Sequence, residues 1–458
     1  MCDIERMFHQ FHVYPSDRDY LRFLWWDGSN LNAEPSEYRM KVHLFGAVSS
    51  PGCANYGLKR VARDNPQFGS EAANFVAQNF YVDDGLTSVD GTEEAISLID
   101  NARSICAEGG LRLHKFASND RAVMESVPIS ERAANLKTLD LSIENLPVER
   151  VLGIQWCIES DNFQFRLTLK DQPLTRRGIL STVSSVFDPL GLIAPVILRG
   201  KQILQELCQN NVDWDEPVPE TQRVMWEKWR LELPEIASLK IERCFQPAGF
   251  GKIDRIELHH FSDASTKGYG QCSYVRLVGN GRVHCSLAMA KARVAPLKPT
   301  TVPRLELQAA VTSAQVSMVL NRELEYHIEH HYWSDSKVVL GYINNDARRF
   351  HVFVSNRVQK IRNISSPEQW KYVGTLENPA DHASRGLKAR ELMTSSWFTG
   401  PSFLWDSNAI PVESNEFIES SDDPEVKNAQ VLVTKSLEES SIVPRLERFS
   451  SWSRAVRL

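Results

Sequence analysis

The 458-residue sequence lacks any long hydrophobic run: its longest apolar stretch, Leu190–Leu198, is far too short to span a bilayer. The N-terminus, MCDIERMF, has neither a charged leader nor an apolar one, so no secretion signal is expected. The eight cysteines include no CxxC pair, which argues against a zinc ribbon or a disulfide scaffold and fits a reducing compartment. Most are expected to be small buried hydrophobes. No segment repeats. An excess of positive charge is also absent. The net charge of −6 lends no support to a polyanionic partner, but residues 401–440 hold nine acids against two bases. The remainder is close to +1, with basic stretches at Arg176–Arg177 and Arg348–Arg349. What is present is ordinary for a soluble globular chain of two to four domains: 42% hydrophobic and 24% charged residues.

Texture divides the chain into four regions. Residues 1–155 mix short strand-like runs with an amphipathic helix over Thr92–Glu108, stopped by Gly109-Gly110. Residues 156–250 read as helical from Ile179 onward, broken by the Asp188-Pro189-Leu190-Gly191-Leu192-Ile193-Ala194-Pro195 segment. In residues 251–387 a strand at Glu257–Ser262 leads into Asp263. A Gly279-Asn280-Gly281 turn then joins Ser273–Val278 to Arg282–Leu287 as a hairpin, a helix runs from near Pro303 to Glu323, and a strand covers His330–Asp335. That order predicts an α/β unit with a mixed sheet. Residues 388–458 turn serine- and acid-rich and read as a linker with little fold of its own.

Phe80-Tyr81-Val82-Asp83-Asp84-Gly85-Leu86 sets two adjacent acids at the tip of a hairpin between apolar runs. Adjacent carboxylates repel, and divalent cations are the commonest reason to hold them together. An Asp-Asp-Gly turn in water is the plainer alternative. The surrounding residues resemble reverse transcriptase motifs, in order. Asp3-Ile4-Glu5-Arg6-Met7-Phe8 is similar to the first palm motif, and Phe45-Gly46-Ala47-Val48-Ser49-Ser50-Pro51 to the nucleotide pocket. Tyr81-Val82-Asp83-Asp84 is similar to the motif most diagnostic of the family, and Val151-Leu152-Gly153 to the primer-grip turn. The resemblance is closest to the BEL/Pao class of LTR retrotransposon polyproteins, through Asp19–Trp25 and Ile179–Leu198. It implies Asp3, Asp83 and Asp84 as metal ligands and Phe8 as the ring that excludes a ribose 2′-hydroxyl. It further implies Phe45, Gly46 and Tyr81 at the substrate and Lys115 near the leaving phosphate.

A second set lies in residues 251–387. Asp263 ends the first strand, Glu306 sits on the first helical turn, Asp335 ends the later strand, and Asp381 precedes a short helix. Singly, each would read as a surface acid. Together, in order and with their local sequences, they resemble the D-E-D-D set of RNase H. That resemblance implies Mg²⁺, with Mn²⁺ as an alternative, held by shared carboxylates for in-line attack of water on RNA. His382 and Arg385 flank Asp381 as a neighbour and a phosphate contact, and are equally well read as surface residues. Residues 170–205 resemble a region sometimes described as a Pao retrotransposon peptidase. The chain has no Asp-Thr-Gly or Asp-Ser-Gly loop, so proteolysis is disfavoured and a thumb or connection unit is expected, with Lys170, Arg176, Arg177, Arg199 and Lys201 facing phosphates or solvent.

The expectation is a multidomain α+β and α/β chain. It comprises a polymerase palm (antiparallel sheet with helices) over 1–155, a helical thumb/connection over 156–250, an RNase H-like mixed sheet with helices over 251–387, and an acidic tail over 388–458. The partners implied are an RNA/DNA hybrid, template-primer, dNTPs and other parts of a polyprotein, with no membrane. The setting implied is a cytoplasmic virus-like particle with nuclear entry. Fingers ahead of Asp3 and an integrase beyond 388 are not found, so the chain reads as a piece of a longer polyprotein: RNA cleavage is expected to be retained, and DNA synthesis to be weak or lost. A non-catalytic nucleic-acid-binding relic is the competing reading.

Overall fold

In a computed structural model of the chain, the described residues are 1–136, 148–151 (backbone alone), 154–165, 167, 169–324, 328–346, 349–407 and 423–427. Arg348, Leu152 and Gly153 of the expected primer-grip turn, and most of residues 408–458, lie outside them.

Besides a two-stranded ribbon of Arg22–Trp25 and Ser36–Arg39, three larger sheets organise the described residues. Strands β1 (Cys2–Ile4), β2 (Phe80–Tyr81), β3 (Asp84–Gly85) and β4 (Leu113–His114) form an antiparallel sheet in the order β2-β3-β1-β4. Helices α1 (Met7–Gln10), α2 (Ser50–Asp64), α3 (Ser70–Gln78) and α4 (Thr92–Glu108) belong to this unit, and Leu58, Val76, Ile105 and Cys106 fill its core with Ile4. The helix expected over Thr92–Glu108 is observed over those residues. A second antiparallel sheet consists of β5 (Val148–Val151), β6 (Ile154–Cys157), β7 (Asn162–Gln164) and β8 (Lys240–Glu242), in the order β8-β7-β6-β5.

The third sheet is mixed, with order β11-β10-β9-β12-β13: β9 (Arg255–Ala264), β10 (Gly268–Gly279), β11 (Arg282–Val294), β12 (Glu329–Ser334) and β13 (Trp370–Tyr372). The β10–β11 hairpin turns on Asn280 and Gly281, both at positive φ (51° and 69°), the twist a two-residue connection demands. β9 runs antiparallel to β10 but parallel to β12, and β12 parallel to β13. Because helices cover both faces, β9 is buried on both sides from Leu258 to Ala264. On one face Leu258, Val275 and Leu277 meet Val316 and Leu320 of α8 (Val302–Glu323). On the other, Phe261, Tyr274 and Trp333 share a core with Leu192, Val196 and Leu207 on and just before α6 (Ala194–Gln209). Trp226 and Trp229 of α7 (Glu220–Glu232) complete that core.

Residues 388–406 depart from the linker expectation. They form α12 (Ala389–Thr394), bury Trp397 and Leu404 completely, and cover the β9–β10–β12 face. Arg276, itself buried, explains the anchorage: its guanidinium donates to the carbonyls of Leu404 (2.6 Å) and Asp406 (2.7 Å) and to Glu257 (2.6 Å). Serine and acid content hid this packing, because a few apolar anchors suffice to dock a short segment. Of the bases considered for phosphate contact, Arg176 stacks on Trp214 (4.1 Å) and Arg177 forks onto Asp215 (2.8 and 3.0 Å). Cys2, Cys106, Cys272 and Cys285 are buried and all eight cysteines are free. No helix among the described residues is long and apolar enough to cross a membrane.

Candidate functional site

The first acid group is assembled by strand register. β1 lies between β3 and β4, pairing Asp3 with Asp84 on one side and with His114 on the other. Asp83 occupies the two-residue loop between β2 and β3, and its carbonyl accepts from the Ile4 amide at 2.9 Å. The Asp3 carboxylate accepts from His114 Nε2 (2.8 Å) and Lys115 Nζ (2.9 Å). Burial, then the negative charge of Asp83 and Asp3, pushes the Asp84 carboxyl above its usual range, with Lys115 opposing. Its hydrogen bond to Asp3 raises Lys115 in turn. Arg6, Val82 and Lys115 all sit at positive φ (49°, 59° and 53°), a costly backbone for a β-branched residue such as Val82. Strain of this kind concentrates where geometry is imposed for function.

A cleft lined by Asp3, Glu5, Arg6, His9, Phe45, Asp83, His114 and Lys115 opens beside them. Phe8, on α1, is buried and meets the exposed Phe45 edge to face at 4.7 Å. Gly46 follows Phe45 at φ 88°, and Tyr81 stands 70% exposed on β2. The structure thus gathers Asp3, Asp83, Phe45 and Lys115 at one cleft, places Asp84 on the paired strand, and sets Phe8 beneath.

The second group forms at the carboxyl ends of two parallel strands. β9 and β12 pair through Ser262 and Ser334, so the next residues, Asp263 and Asp335, come level where the sheet ends. Glu306 reaches the same end from the first turns of α8, and Asp381 from α11 (Ala380–Arg385). Each acid has a polar neighbour that holds it. The Ser384 hydroxyl donates to Asp263, Ser336 to Glu306 (2.5 Å), and the Asn378 amide to Asp335 (3.2 Å), while Arg385 pairs with Asp381. Ser336 follows Asp335 directly, and Asn378, Ser384 and Arg385 lie within four residues of Asp381. Nothing in their spacing distinguishes a supporting hydroxyl from a turn residue. His382 instead packs edge to face on Trp397 at 6.3 Å.

Charge at this end of the sheet is under-compensated. Burial drives the Asp263 carboxyl up to about 7, Ser384 opposes the shift, and the charges of Asp335 and Asp381 add to it. Glu306 is raised by burial and by Asp335, against its Ser336 hydrogen bond. Four hard carboxylates from four elements, with Arg385 bound to one of them, are a donor set that suits a divalent cation. Among the described residues, no three of these acids bring ligand atoms within 4.8 Å of one another, nor do Asp3, Asp83 and Asp84. Among the described residues, the one group that does is Glu257, His259 and His331. There Arg276 neutralises Glu257 and the Trp333 indole donates to His259 Nδ1 (3.1 Å), so it is an internal ion-pair network.

A stability prediction follows from Asp263. Its folded pKa lies above the ordinary carboxyl value near 4, so its contribution is greatest below about pH 4 and is lost as pH rises to about 7, by at most about 4 kcal/mol. The buried His259 and His260 and the half-buried His331, lowered chiefly by desolvation, act in the opposite sense across neighbouring pH values. The measurement is therefore the difference between wild type and Asp263→Asn in metal-free urea denaturation from pH 4 to 8. The wild type should lose stability relative to the variant as pH rises, and a flat difference would contradict the burial of this carboxylate.

Residues 175–336 match the family described as "Pao retrotransposon-like RNaseH-like domain". The match spans α5 (Arg176–Ser185), α6, α7 and the strands to Asp335, crossing the boundary expected at 250/251. It includes Asp263, Glu306 and Asp335. No curated protein matches. Similar solved structures include a foamy viral protease-reverse transcriptase in complex with dsDNA (13% identity, 82% of this chain and 67% of that one, TM-score 0.45). Another is the N-terminal RNase H domain of a Mycobacterium tuberculosis protein fused to maltose-binding protein (12% identity, 28% and 91%, TM-score 0.22). RNase H1 from the archaeon Halobacterium salinarum is a third (11% identity, 30% and 97%, TM-score 0.21). Residues 175–336, with Asp263, Glu306 and Asp335 among them, thus match a Pao retrotransposon-like RNaseH-like domain.

Proposed function

We propose that this chain cleaves the RNA strand of an RNA/DNA hybrid at Asp263, Glu306, Asp335 and Asp381. The observation that carries the reading is the convergence of these four acids at the carboxyl end of β9 and β12, with too little positive charge nearby to balance them. Mg²⁺ bound by these carboxylates would supply charge neutralisation at the scissile phosphate and a water of lowered pKa. Ser384, Ser336 and Asn378 hold their carboxylates in place by hydrogen bonds, the role such supporting groups play around metal ligands. Arg385 is placed to meet a phosphate once Asp381 releases it. The unit would span the strands and helices of 251–387 together with the helices of 175–250 that share its core. The test is cleavage of a hybrid labelled on the RNA strand, with and without Mg²⁺. Salt-dependent hybrid binding without turnover in Mg²⁺ or Mn²⁺ would favour the relic reading instead.

The palm geometry favours a second activity on the same chain: nucleotide addition to a template-primer at Asp3, Asp83 and Asp84. Lys115 is poised to meet a dNTP phosphate, and Phe8 forms the floor below Phe45. Primer extension on poly-rA/oligo-dT tests it. Any extension by the wild type should vanish in Asp83→Asn, and extension that survives this substitution would exclude Asp83 from the site.

A further inference from the structure

Part of the acid-rich C-terminal region returns to the RNaseH-like unit. Val426 bridges Phe350 in antiparallel fashion, the His351 amide donates to the Glu425 carbonyl (2.9 Å), and the Lys427 amide to the Arg349 carbonyl (2.7 Å). Asp423 accepts from the Tyr342 hydroxyl on α9 (Lys337–Asn344) and from the Glu425 amide (2.8 Å). Glu425 is 7% exposed, and its carboxylate takes a two-pronged hydrogen bond from the Arg304 guanidinium.

The cation that Glu425 occupies is placed for a different anion. Arg304 lies two residues before Glu306 on the opening turn of α8, and α9 opens just after Asp335, so the segment spans helices that both start at the catalytic acids. Arg304 shares the Phe353 ring with Arg357, at 4.8 and 3.4 Å from its centroid. Arg357 reaches Gln308 (2.8 Å) and, with Asn356 and Lys360, lines a polar hollow between α8 and α10 (Val352–Arg362). Two guanidiniums on one ring, continuing into a lysine, make a ridge suited to a row of phosphates. A carboxylate held by both prongs of an arginine imitates one of them. The sequence around Glu425 is itself a polyanion, nine acids against two bases over residues 401–440.

We propose that residues 423–427 are an intramolecular competitor of the polyanionic substrate, with Glu425 occupying on Arg304 the place of a backbone phosphate. The inference rests on the ribonuclease reading for its substrate. Entry of the hybrid displaces the segment, and the Arg304–Arg357 ridge then pairs with phosphates.

The test uses the full chain and a hybrid whose RNA strand is made uncleavable by 2′-O-methylation, with affinity read by fluorescence anisotropy. Glu425→Gln should bind about tenfold more tightly, the scale of one charged hydrogen-bonded pair. Its salt dependence should be steeper by about one phosphate contact. On a cleavable hybrid its KM should fall with kcat unchanged. A Phe350→Cys/Val426→Cys pair, oxidised to hold the segment in place, should bind about tenfold more weakly than the same protein after reduction, and this answers the question even if Glu425→Gln folds poorly. Equal or weaker binding by Glu425→Gln, with no effect of reduction on the cysteine pair, overturns the proposal and marks Glu425 as a brace. Tighter binding with no cleavage by any variant would uphold the competitor and reject the ribonuclease. Cleavage with unchanged affinities would do the reverse, and absence of hybrid binding by every form would reject both.

Discussion

Asp335→Asn should reduce hybrid cleavage by about 10⁴-fold, the scale of loss when one member of a cooperating catalytic set is removed. The substitution preserves shape but changes two things at once. It removes a negative charge that raises both Asp263 and Glu306, so these two should ionise at lower pH. It also sets an amide against the Asn378 amide that donates to Asp335, where two N–H groups can then face each other. The variant should stay folded and keep its hybrid affinity, because it removes an anion from a surface that must meet a polyanion. Single-turnover cleavage and anisotropy, measured on one preparation, separate these outcomes. Wild-type cleavage rates in Asp335→Asn would remove the four-acid site from the mechanism, whereas cleavage lost together with the fold would make Asp335 structural.

Gly191→Ala should be among the most destabilising single-methyl changes in the chain. Gly191 lies in the Asp188–Pro195 loop at φ 76°, and a Cβ there would stand 1.9 Å from the Ala290 carbonyl oxygen of β11. That neighbour is backbone, and it is held: the Ala290 amide donates to the Leu190 carbonyl at 2.8 Å. The rest of the loop is equally tied. Asp188 accepts from the Leu192 and Ile193 amides (2.8 and 2.9 Å), and the Leu192 carbonyl accepts from the Trp397 indole (2.8 Å). The left-handed backbone and the overlap together should cost about 3–5 kcal/mol, lowering the melting temperature by about 10 °C or more. Gly249→Ala is the control, since Gly249 has φ 72° and open space where its Cβ would be, so only the backbone cost of about 1–2 kcal/mol applies. Melting temperatures of the two variants within about 2 °C of each other would show that the approach to Ala290 does not govern the seam.

That loop also shows what local sequence does not carry. Its prolines and glycine read as an interruption between helices. In the fold it is the joint at which α6 meets the edge of the mixed sheet, and only a partner strand more than ninety residues away makes Gly191 necessary. Local patterns of period two and 3.6 report which face of an element is apolar, and they placed β9, the β10–β11 turn, α4 and α8. They carry no information about which apolar face meets which. Residues 388–406 therefore read as linker, although Arg276 grips the Leu404 carbonyl and Trp397 is buried in the core beneath the segment.

The acids divide in the same way. Order and local sequence named Asp3, Asp83, Asp84, Asp263, Glu306, Asp335 and Asp381, because residues that must act together keep characteristic neighbours along the chain. Their surroundings came only from tertiary structure: strand register levels Asp263 with Asp335, burial and mutual repulsion raise Asp263, and Ser384, Ser336 and Asn378 take up supporting positions. The seating of Glu425 on Arg304 was equally invisible, since it joins residues 121 positions apart. The candidate acids and the type of most elements are legible along the chain, because they depend on local chemistry. The tertiary structure alone decided the electrostatic state of the acids and the company of each side chain, because these depend on distances that the order of residues does not contain.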